Sequence, residues 1–302
     1  MTRRLAVLRI LLFSYVAIWS TVRAPHLLDT ADLDPTRLDA VGPLWFLDAP
    51  LPDGVIMLLV LITPLAAALA AAGWRYRLTA PLAAFSFLMI TSYRNSWGQL
   101  FHTENLASLH LIVLALAPVA ATHWSADARR GRATSRSADD DGAWAIRSMA
   151  VLAVGTYFLA GVAKVRISGW GWVSGDTLLH QVTFDNVRKD LLGDPSSPLA
   201  AWFVEQGWLM APAAIASMVL ELGAPLALLH RRAGQVWAVS AVGFHLGVLA
   251  FMFILFPYHL LGFAVAPLLA LELLPDRLAR TAVGRAWQRR FGPHWMASST
   301  PG

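Results

Sequence analysis

The sequence predicts an all-α fold, a polytopic transmembrane bundle of about eight spans with both termini in the cytoplasm. Hydrophobic residues occupy 57% of the 302 positions and charged residues 14%, whereas about 25% of an ordinary soluble domain is charged. The apolar residues form runs that approach the roughly 20 residues needed to cross a bilayer. Arginines cluster between these runs. This distribution is typical of an integral membrane protein.

The predicted spans follow the apolar runs in chain order. They centre on residues 5–22, 54–73, 78–93, 106–122, 144–165, 208–229, 235–256 and 258–275. Arginine clusters precede the first span, occupy alternate connections and follow the last span. Because Lys and Arg are enriched in cytoplasmic loops, both termini and these connections are expected in the cytoplasm. The remaining connections, including the long stretch 166–207, are expected on the outer face.

Three segments make up the predicted domain organisation. Residues 1–275 form a transmembrane domain, which contains a flexible cytoplasmic loop at 125–143. The loop is rich in Ser, Arg and Asp, so it cannot bury enough apolar surface to order itself. Residues 276–302 are a basic cytoplasmic tail in which apolar residues are spaced among arginines. That pattern predicts an amphipathic helix on the anionic inner leaflet.

Composition and motifs also exclude several classes of function. The net charge of +5 does not indicate nucleic acid, because the arginine clusters fit a cytoplasmic membrane face. The chain has no cysteine, and therefore no thiol nucleophile or thiolate metal site. Its nine histidines lack the spacing of a membrane di-iron enzyme or of HExxH, so no metal is expected. Hydrolase, nucleotide-driven and dinucleotide-binding motifs are also missing.

Lys164 stands out within the predicted fifth span. The chain holds 24 Lys plus Arg, and the only lysines are Lys164 and Lys189, so a positive charge is otherwise supplied by arginine. Burial favours the neutral form of an amine, and a neutral lysine is a competent general base. Alternatively, Lys164 and Arg166 mark the interfacial end of the span, where long side chains extend to the headgroups. Both interpretations stay open at this point.

Two further ionisable residues lie near the middle of predicted spans, Glu221 in the sixth and His245 in the seventh. Intramembrane ionisable residues usually face a bundle interior or a cavity, so each is a candidate site residue. The alternative for Glu221 is a structural ion pair or a buried protonated acid. For His245 it is a hydrogen bond to a neighbouring helix.

Two predicted outer connections carry the remaining candidates. His102 precedes a plausible helix cap at Thr103, and Asn105 shares the first turn. A helix N-terminus beside a histidine can receive an anion or an enolate-like oxygen. In the glycine-rich segment "SGWGWVSG", Trp170 and Trp172 are expected in the aromatic belt at the membrane interface.

Several stretches together resemble one family. They are "LAVLRILLFSYVAIW" (5–19, with Arg9), "GWRYRL" (73–78), "SWGQLFHTENL" (96–106), "YFLAGVAKV" (157–165), "WVSG" (172–175) and "FHLGVLAFMFILFPY" (244–258). In this order they resemble the membrane domain of vitamin K-dependent gamma-glutamyl carboxylase and the bacterial HTTM (vitamin K-dependent gamma-carboxylase-like) membrane proteins. The resemblance covers roughly residues 5–274. The large strand-rich region of the carboxylase has no counterpart in this sequence, so glutamate carboxylation is not implied.

The resemblance implies quinol-dependent oxygenation or carboxylase-type chemistry. Lys164 matches the lysine that deprotonates vitamin K hydroquinone, while His102 and His245 match histidines of the family and join it as catalytic candidates. The candidates for binding substrate or cofactor are Glu221, Trp172, Asn105 and Arg166. The implied cofactor is vitamin K hydroquinone or menaquinol, with O2 and, for a carboxylase-type reaction, CO2. The expected partners are the lipid bilayer, a lipid-soluble quinol and an unknown protein or peptide substrate, in a bacterial cell membrane.

A non-enzymatic alternative remains open: a membrane scaffold, carrier or peptide-export or maturation partner that retains the fold. In that case Lys164 and Glu221 form a buried ion pair that holds helices together. Direct contact between them without an adjoining pocket would favour this alternative. An apolar pocket of at least about 300 Å³ beside Lys164 would favour the enzyme.

Overall fold

The computed structural model describes residues 1–98, 100–132 and 142–273. All regular secondary structure in these residues is helical, which confirms the predicted all-α class. The predicted basic tail and the middle of the predicted flexible loop lie outside the described residues. Backbone contacts divide the chain into two compact units.

The first unit comprises the described parts of Met1–Phe101 and Ala107–Ile146, with the described residues from Ala270 onward. The second comprises His102–Leu106 and Arg147–Leu269. The helices that begin before residue 140 are α1 (Thr2–Leu28), α2 (Asp53–Ala71), α3 (Tyr76–Asn95), α4 (Asn105–Ala115) and α5 (Ala126–Arg129). The later helices are α6 (Ala143–Ser168), α7 (Trp170–Val173), α8 (Asp176–Leu192), α9 (Ala200–Glu205), α10 (Met210–Leu222), α11 (Arg231–Met252) and α12 (Pro257–Leu260).

Four helical segments in the described residues are long and apolar enough to cross a membrane. They are Thr2–Asp32, Asp53–Ala71, Ala143–Ser168 and Arg231–Met252. Each coincides with a predicted span, and the chain is an integral membrane protein.

Three of the other predicted spans contain helices shorter than a membrane crossing, because proline and glycine interrupt them. After α4 ends at Ala115, Pro118 starts a 3-10 turn, and after α10 ends at Leu222, Pro225 lies in another. Proline cannot donate the backbone hydrogen bond that would continue an α-helix. Beyond α12, Gly262 adopts a φ of 73°, a left-handed conformation that ends helical structure.

Arg9 organises the first unit from the N-terminal third of α1, where its side chain is fully buried. Its Nε donates to the Ala71 carbonyl at 3.2 Å. Nη1 donates to the carbonyls of Ala120 at 2.8 Å and His123 at 3.1 Å, and Nη2 to that of Trp124 at 2.7 Å. Carbonyls near helix ends lack intrahelical partners. The guanidinium supplies those partners, so Arg9 has a structural role.

The turn before α3 explains the "GWRYRL" motif. Gly73 has a φ of +64°, and a Cβ there would lie 2.3 Å from the Ser125 Cβ. The backbone N–H groups of Arg75 and Tyr76 donate to the two carboxylate oxygens of Asp127, at 3.0 and 2.8 Å. A carboxylate at a helix N-terminus is favourable because the N–H groups there carry partial positive charge. The motif therefore forms a fixed turn.

The second lysine, Lys189, helps to hold the end of α11 in the second unit. The last carbonyls of α11 accept hydrogen bonds from three side chains: Ser197 to Ala250, Asn186 to Phe251, and Lys189 to Met252. The lysine also pairs with Asp185 at 2.6 Å. A cation is favourable where helix carbonyls lack partners. These bonds fix the end of the helix that carries His245.

Candidate functional site

Lys164 and Glu221 form a direct ion pair in the second unit. The Lys164 Nζ lies 2.5 Å from the Glu221 Oε1. Glu221 is 3% exposed, and the side chain of Lys164 is 20% exposed. Lys164 lies on α6 and Glu221 on α10, so the pair joins two apolar helices.

Gly161 allows these helices to approach. It lies one helical turn before Lys164, and a Cβ at Gly161 would be 3.0 Å from the Glu221 Cβ and from the Leu222 Cδ2. Both separations are shorter than ordinary van der Waals contact. The small residue in "YFLAGVAKV" therefore admits α10 beside the lysine.

Two aromatic rings complete the surroundings of Lys164. Its Nζ lies 4.6 Å from the ring centroid of Trp172 and 5.6 Å from that of Phe244. Rings at these separations attract a cation through the negative charge of their faces. The Trp172 indole N–H lies 3.1 Å from the Ser217 Oγ and 3.3 Å from the Ala214 carbonyl. These bonds hold the ring against α10.

The expected aromatic belt needs a correction for Trp172. Trp170 is 85% exposed, as a belt residue should be, whereas Trp172 is 5% exposed. The two residues lie two positions apart in α7, and such residues face different directions on a helix. Trp172 consequently belongs to the surroundings of Lys164.

A second polar cluster surrounds His245 in the same unit. The His245 Nε2 shares a hydrogen bond of 2.9 Å with the Tyr157 hydroxyl. The His245 ring centroid lies 4.4 Å from that of His259 and 4.9 Å from that of Phe256. All four side chains are buried. His245 therefore hydrogen-bonds to a neighbouring helix, as the structural alternative for this residue predicted.

Backbone and ring contacts connect the histidine cluster with the ion pair. Tyr157 lies seven residues before Lys164 on α6, a spacing that places both on one helix face. Its ring packs against Trp237 with centroids 4.9 Å apart. The Trp237 indole N–H donates to the carbonyl of Leu220, the residue before Glu221, at 3.0 Å. The two groups thus share the packing among α6, α10 and α11.

The other candidates, His102, Asn105 and Arg166, are exposed. His102 is exposed, and its ring centroid lies 5.5 Å from that of Phe256, which also contacts His245. Asn105 is exposed at the first residue of α4. Arg166 is exposed and, two residues after Lys164, points to a different side of α6.

Several residues of the arrangement were missed from the sequence, among them Tyr157, Phe244 and His259. Tyr157 is the first residue of the motif that contains Lys164, and the seven-residue spacing was the signal for a shared face. His259 was another ionisable residue in a predicted span. Phe244 is the first residue of the stretch that contains His245, and its place in that stretch was the available signal.

Polar atoms in this arrangement remain available for further hydrogen bonds. Among the described residues, the Glu221 Oε2 and the Nδ1 atoms of His245 and His259 are buried and have no hydrogen-bond partner. Buried polar atoms normally have partners, so such atoms require an explanation. Within the same residues, no group of three or more His, Asp or Glu side chains could hold a metal ion. Buried atoms of this kind can exchange a proton or bind a polar group.

The direct contact between Lys164 and Glu221 is the contact that the scaffold alternative expects. An open groove of about 570 Å³ occurs in the second unit, but it is lined by residues of α8 and Lys164 is not among them. The ion pair by itself suits either a structural or a catalytic role.

The family comparison covers most of the chain. The model of the HTTM domain matches residues 2–270, a stretch that includes Lys164, Glu221 and the histidine cluster. No curated protein and no solved structure matches the chain significantly. Because the match spans nearly nine-tenths of the 302 residues, this protein belongs to the HTTM domain family.

Proposed function

We propose that this protein is a membrane enzyme that removes a proton from a lipid-soluble hydroxyl compound, of which a quinol is the leading class. Lys164 is the base, and the reaction is quinol-dependent oxygenation or of carboxylase type. The observation that carries the proposal is the set of buried polar atoms around the ion pair that have no hydrogen-bond partner in the described part of the chain. They are the Glu221 Oε2 and the Nδ1 atoms of His245 and His259, which a purely structural ion pair does not require.

The proton of the ion pair must move before Lys164 can act as a base, because an ammonium group has no lone pair. Transfer of that proton to Glu221 along the 2.5 Å contact leaves a neutral amine beside a carboxylic acid. A dry environment favours these neutral forms. The amine can then accept the proton of a phenolic hydroxyl, whose ordinary pKa is about 10. Glu221 thus retains one proton while Lys164 receives another.

The remaining polar groups suit a ligand with two hydroxyl groups. The buried Nδ1 atoms of His245 and His259 can each hydrogen-bond to an oxygen, and Trp172 offers an aromatic surface beside Lys164. His102, Asn105 and Arg166 are the more exposed candidates for the approach of the ligand. The proposed cofactor is vitamin K hydroquinone or menaquinol, which supplies the reducing equivalents for a reaction with O2.

The proposal extends to topology and location. About eight spans and cytoplasmic termini are supported by the alternation of arginine clusters. Residues 1–275 form the membrane domain, and the basic tail 276–302 lies on the inner leaflet. The proposed location is a bacterial cell membrane, where a quinol and a protein or peptide substrate are accessible.

The test measures consumption of reduced menaquinone or vitamin K and formation of the epoxide in the presence of O2. Wild type is compared with Lys164→Ala, Lys164→Arg and the matched control Lys189→Arg. Arginine preserves the pairing with Glu221 but stays protonated. We expect both Lys164 variants to lose at least about 100-fold in rate, as expected for loss of a general base, and Lys189→Arg to retain activity. Full activity of Lys164→Arg would rule out Lys164 as the base.

The second candidate is a scaffold, carrier or peptide-export partner, and the direct pairing of Lys164 with Glu221 favours it. In this case folded wild-type protein neither binds nor consumes the quinol. Lys164→Arg then behaves as wild type in stability and assembly, since the ion pair is retained. This outcome would leave the family relationship as one of fold.

A further inference from the structure

We infer that α8 is a membrane-interface helix whose exposed apolar face lies among lipid acyl chains. The inference is independent of the proposed chemistry. Phe184, Val187 and Leu191 follow the spacing i, i+3, i+7, which places them on one helix face. They are 69%, 50% and 82% exposed. A contiguous exposed apolar face of this kind indicates an interaction surface.

The opposite face of α8 is already occupied by the second unit. Val182 and Asn186 are buried, and Val182 belongs to an apolar cluster with Ala200, Phe203 and Met210. The Asn186 and Lys189 side chains hydrogen-bond to the end of α11. The helix is therefore held in place through one face and presents the other outward.

The outward face includes an open groove of about 570 Å³. Its lining consists of the apolar side chains of Phe184, Val187, Leu191 and Leu192 together with those of His180, Thr183 and Arg188. An acyl chain suits the apolar lining. The guanidinium of Arg188 can reach a lipid phosphate while its carbon stem covers apolar surface.

The neighbouring residues identify the bilayer as the occupant. α8 lies in the connection between α6, a candidate span, and α10, a shorter apolar helix. The end of α6 and the short α7 expose Ile167 and Trp170, and the return to α10 exposes Trp202 and Trp208. Tryptophan is enriched where a membrane protein meets the headgroups. The exposed apolar face of α8 therefore lies, along the chain, between exposed tryptophans of the kind found at a membrane interface.

The charge of α8 excludes a spanning role. Asp185, Arg188, Lys189 and Asp190 occupy its second half, and the helix is not among the candidate spans. A helix that exposes an apolar face and also carries several charged side chains suits the plane of the interface better than the hydrocarbon core. Asp190 is exposed and, three residues after Val187 and one before Leu191, lies to the side of the apolar face.

The absence of cysteine from the full chain allows each position to be labelled alone. Full-length single-cysteine variants Phe184→Cys, Val187→Cys and Leu191→Cys, with Asp190→Cys as the matched control, are spin-labelled in phosphatidylcholine proteoliposomes. Collision rates are measured with oxygen, which concentrates in acyl chains, and with a water-soluble nickel chelate. All four side chains are exposed, so folding should survive, and Leu192→Cys replaces any variant that does not elute as wild type.

We expect an oxygen-to-nickel accessibility ratio severalfold higher at Phe184, Val187 and Leu191 than at Asp190. Equal ratios with high nickel accessibility at all four positions would place the face in water and overturn the inference. Low accessibility to both reagents, together with dipolar broadening that disappears on dilution with unlabelled protein, would show that a second copy covers the face. Low accessibility to both oxygen and the nickel chelate without dipolar broadening would indicate that the same chain covers this face. That outcome would also overturn the inference.

Discussion

Arg9 in the first unit and Lys164 in the second are both cations on helices that are candidate spans, yet their surroundings differ in kind. In the part of the chain that the structure describes, Arg9 donates hydrogen bonds only to backbone carbonyls. Lys164 instead meets a side-chain carboxylate, whose second oxygen has no hydrogen-bond partner among the described residues.

A membrane helix can thus carry either a structural or a reactive cation, depending on the group that the cation contacts. Backbone carbonyls are fixed dipoles that cannot take up a proton, and a guanidinium stays charged in proteins. A carboxylate can accept the proton of a neighbouring ammonium. The first arrangement can only hold helices together, whereas the second can also exchange a proton.

Arg9→Leu should break the first arrangement with the largest effect. Four carbonyls would lose their donor, and each unsatisfied buried group costs about 1–3 kcal/mol. We expect loss of most folded protein, measured as the monodisperse fraction after detergent extraction and as thermal unfolding. Arg23→Leu, which replaces an exposed arginine of the same helix, is the control. Wild-type stability of Arg9→Leu would contradict the structural role of the hydrogen bonds from Arg9 to these carbonyls.

Lys164→Met should destabilise the second unit less. Loss of one partner from a buried ion pair typically costs about 3–5 kcal/mol, whereas replacement of both by apolar residues is often neutral. We therefore expect Lys164→Met/Glu221→Leu to recover the thermal stability lost in Lys164→Met. If the double variant were as unstable as Lys164→Met, the instability of Lys164→Met would not come from an unpaired Glu221.

Gly161→Ala should displace α10 from α6 while leaving both charged groups of the ion pair in place. A Cβ at this position crowds Glu221 and Leu222, and overpacking costs about 1–3 kcal/mol. Gly155→Ala on the same helix is the matched control, because a Cβ there has no atom within 4 Å. We expect a lower unfolding temperature and lower turnover only for Gly161→Ala. Equal unfolding temperatures and equal turnover of the two variants would contradict the close approach of α6 and α10 at Gly161.

The smallest expected effect is pH dependence in the first unit. The pKa of His123 is held below its ordinary value by burial, then by the charges of Arg3, the N-terminal amine and Arg9. The unfolded state therefore binds a proton at higher pH than the folded state, and stability falls as pH decreases through about 6.5.

His123→Gln removes this contribution, so its unfolding temperature should fall less than that of wild type, by about 2 °C, between about pH 7.5 and about pH 5.5. His26→Gln, at an exposed position in the same unit, serves as the control. An unchanged pH dependence in His123→Gln would refute this role.

Sequence reasoning predicted the helical class and the membrane setting because apolar runs and arginine clusters are local signals. It also selected Lys164 and Glu221, which the structure brings together, because ionisable residues are unusual in predicted spans. Trp172 was a candidate that belongs to the family-like stretch "WVSG", whereas its position had predicted the aromatic belt. The prolines that follow α4 and α10 could have predicted the ends of these helices. The spans were assigned by counting apolar residues, and this count did not take proline into account.

Other features depended on packing between distant segments. The burial of Trp172 follows from its hydrogen bonds to α10, which are separated from it by more than 40 residues. His259 and Tyr157 meet around His245 through contacts that span up to about 100 residues. Local periodicity contains no information about such pairings.

The hydrogen bonds that close the end of α11 have a consequence for synthesis of the chain. Their donors, Asn186, Lys189 and Ser197, are translated before the carbonyls of Ala250 to Met252. Each carbonyl therefore emerges when its donor has already been made. The end of α11 can reach its final hydrogen bonding as soon as it leaves the ribosome, without waiting for any later segment.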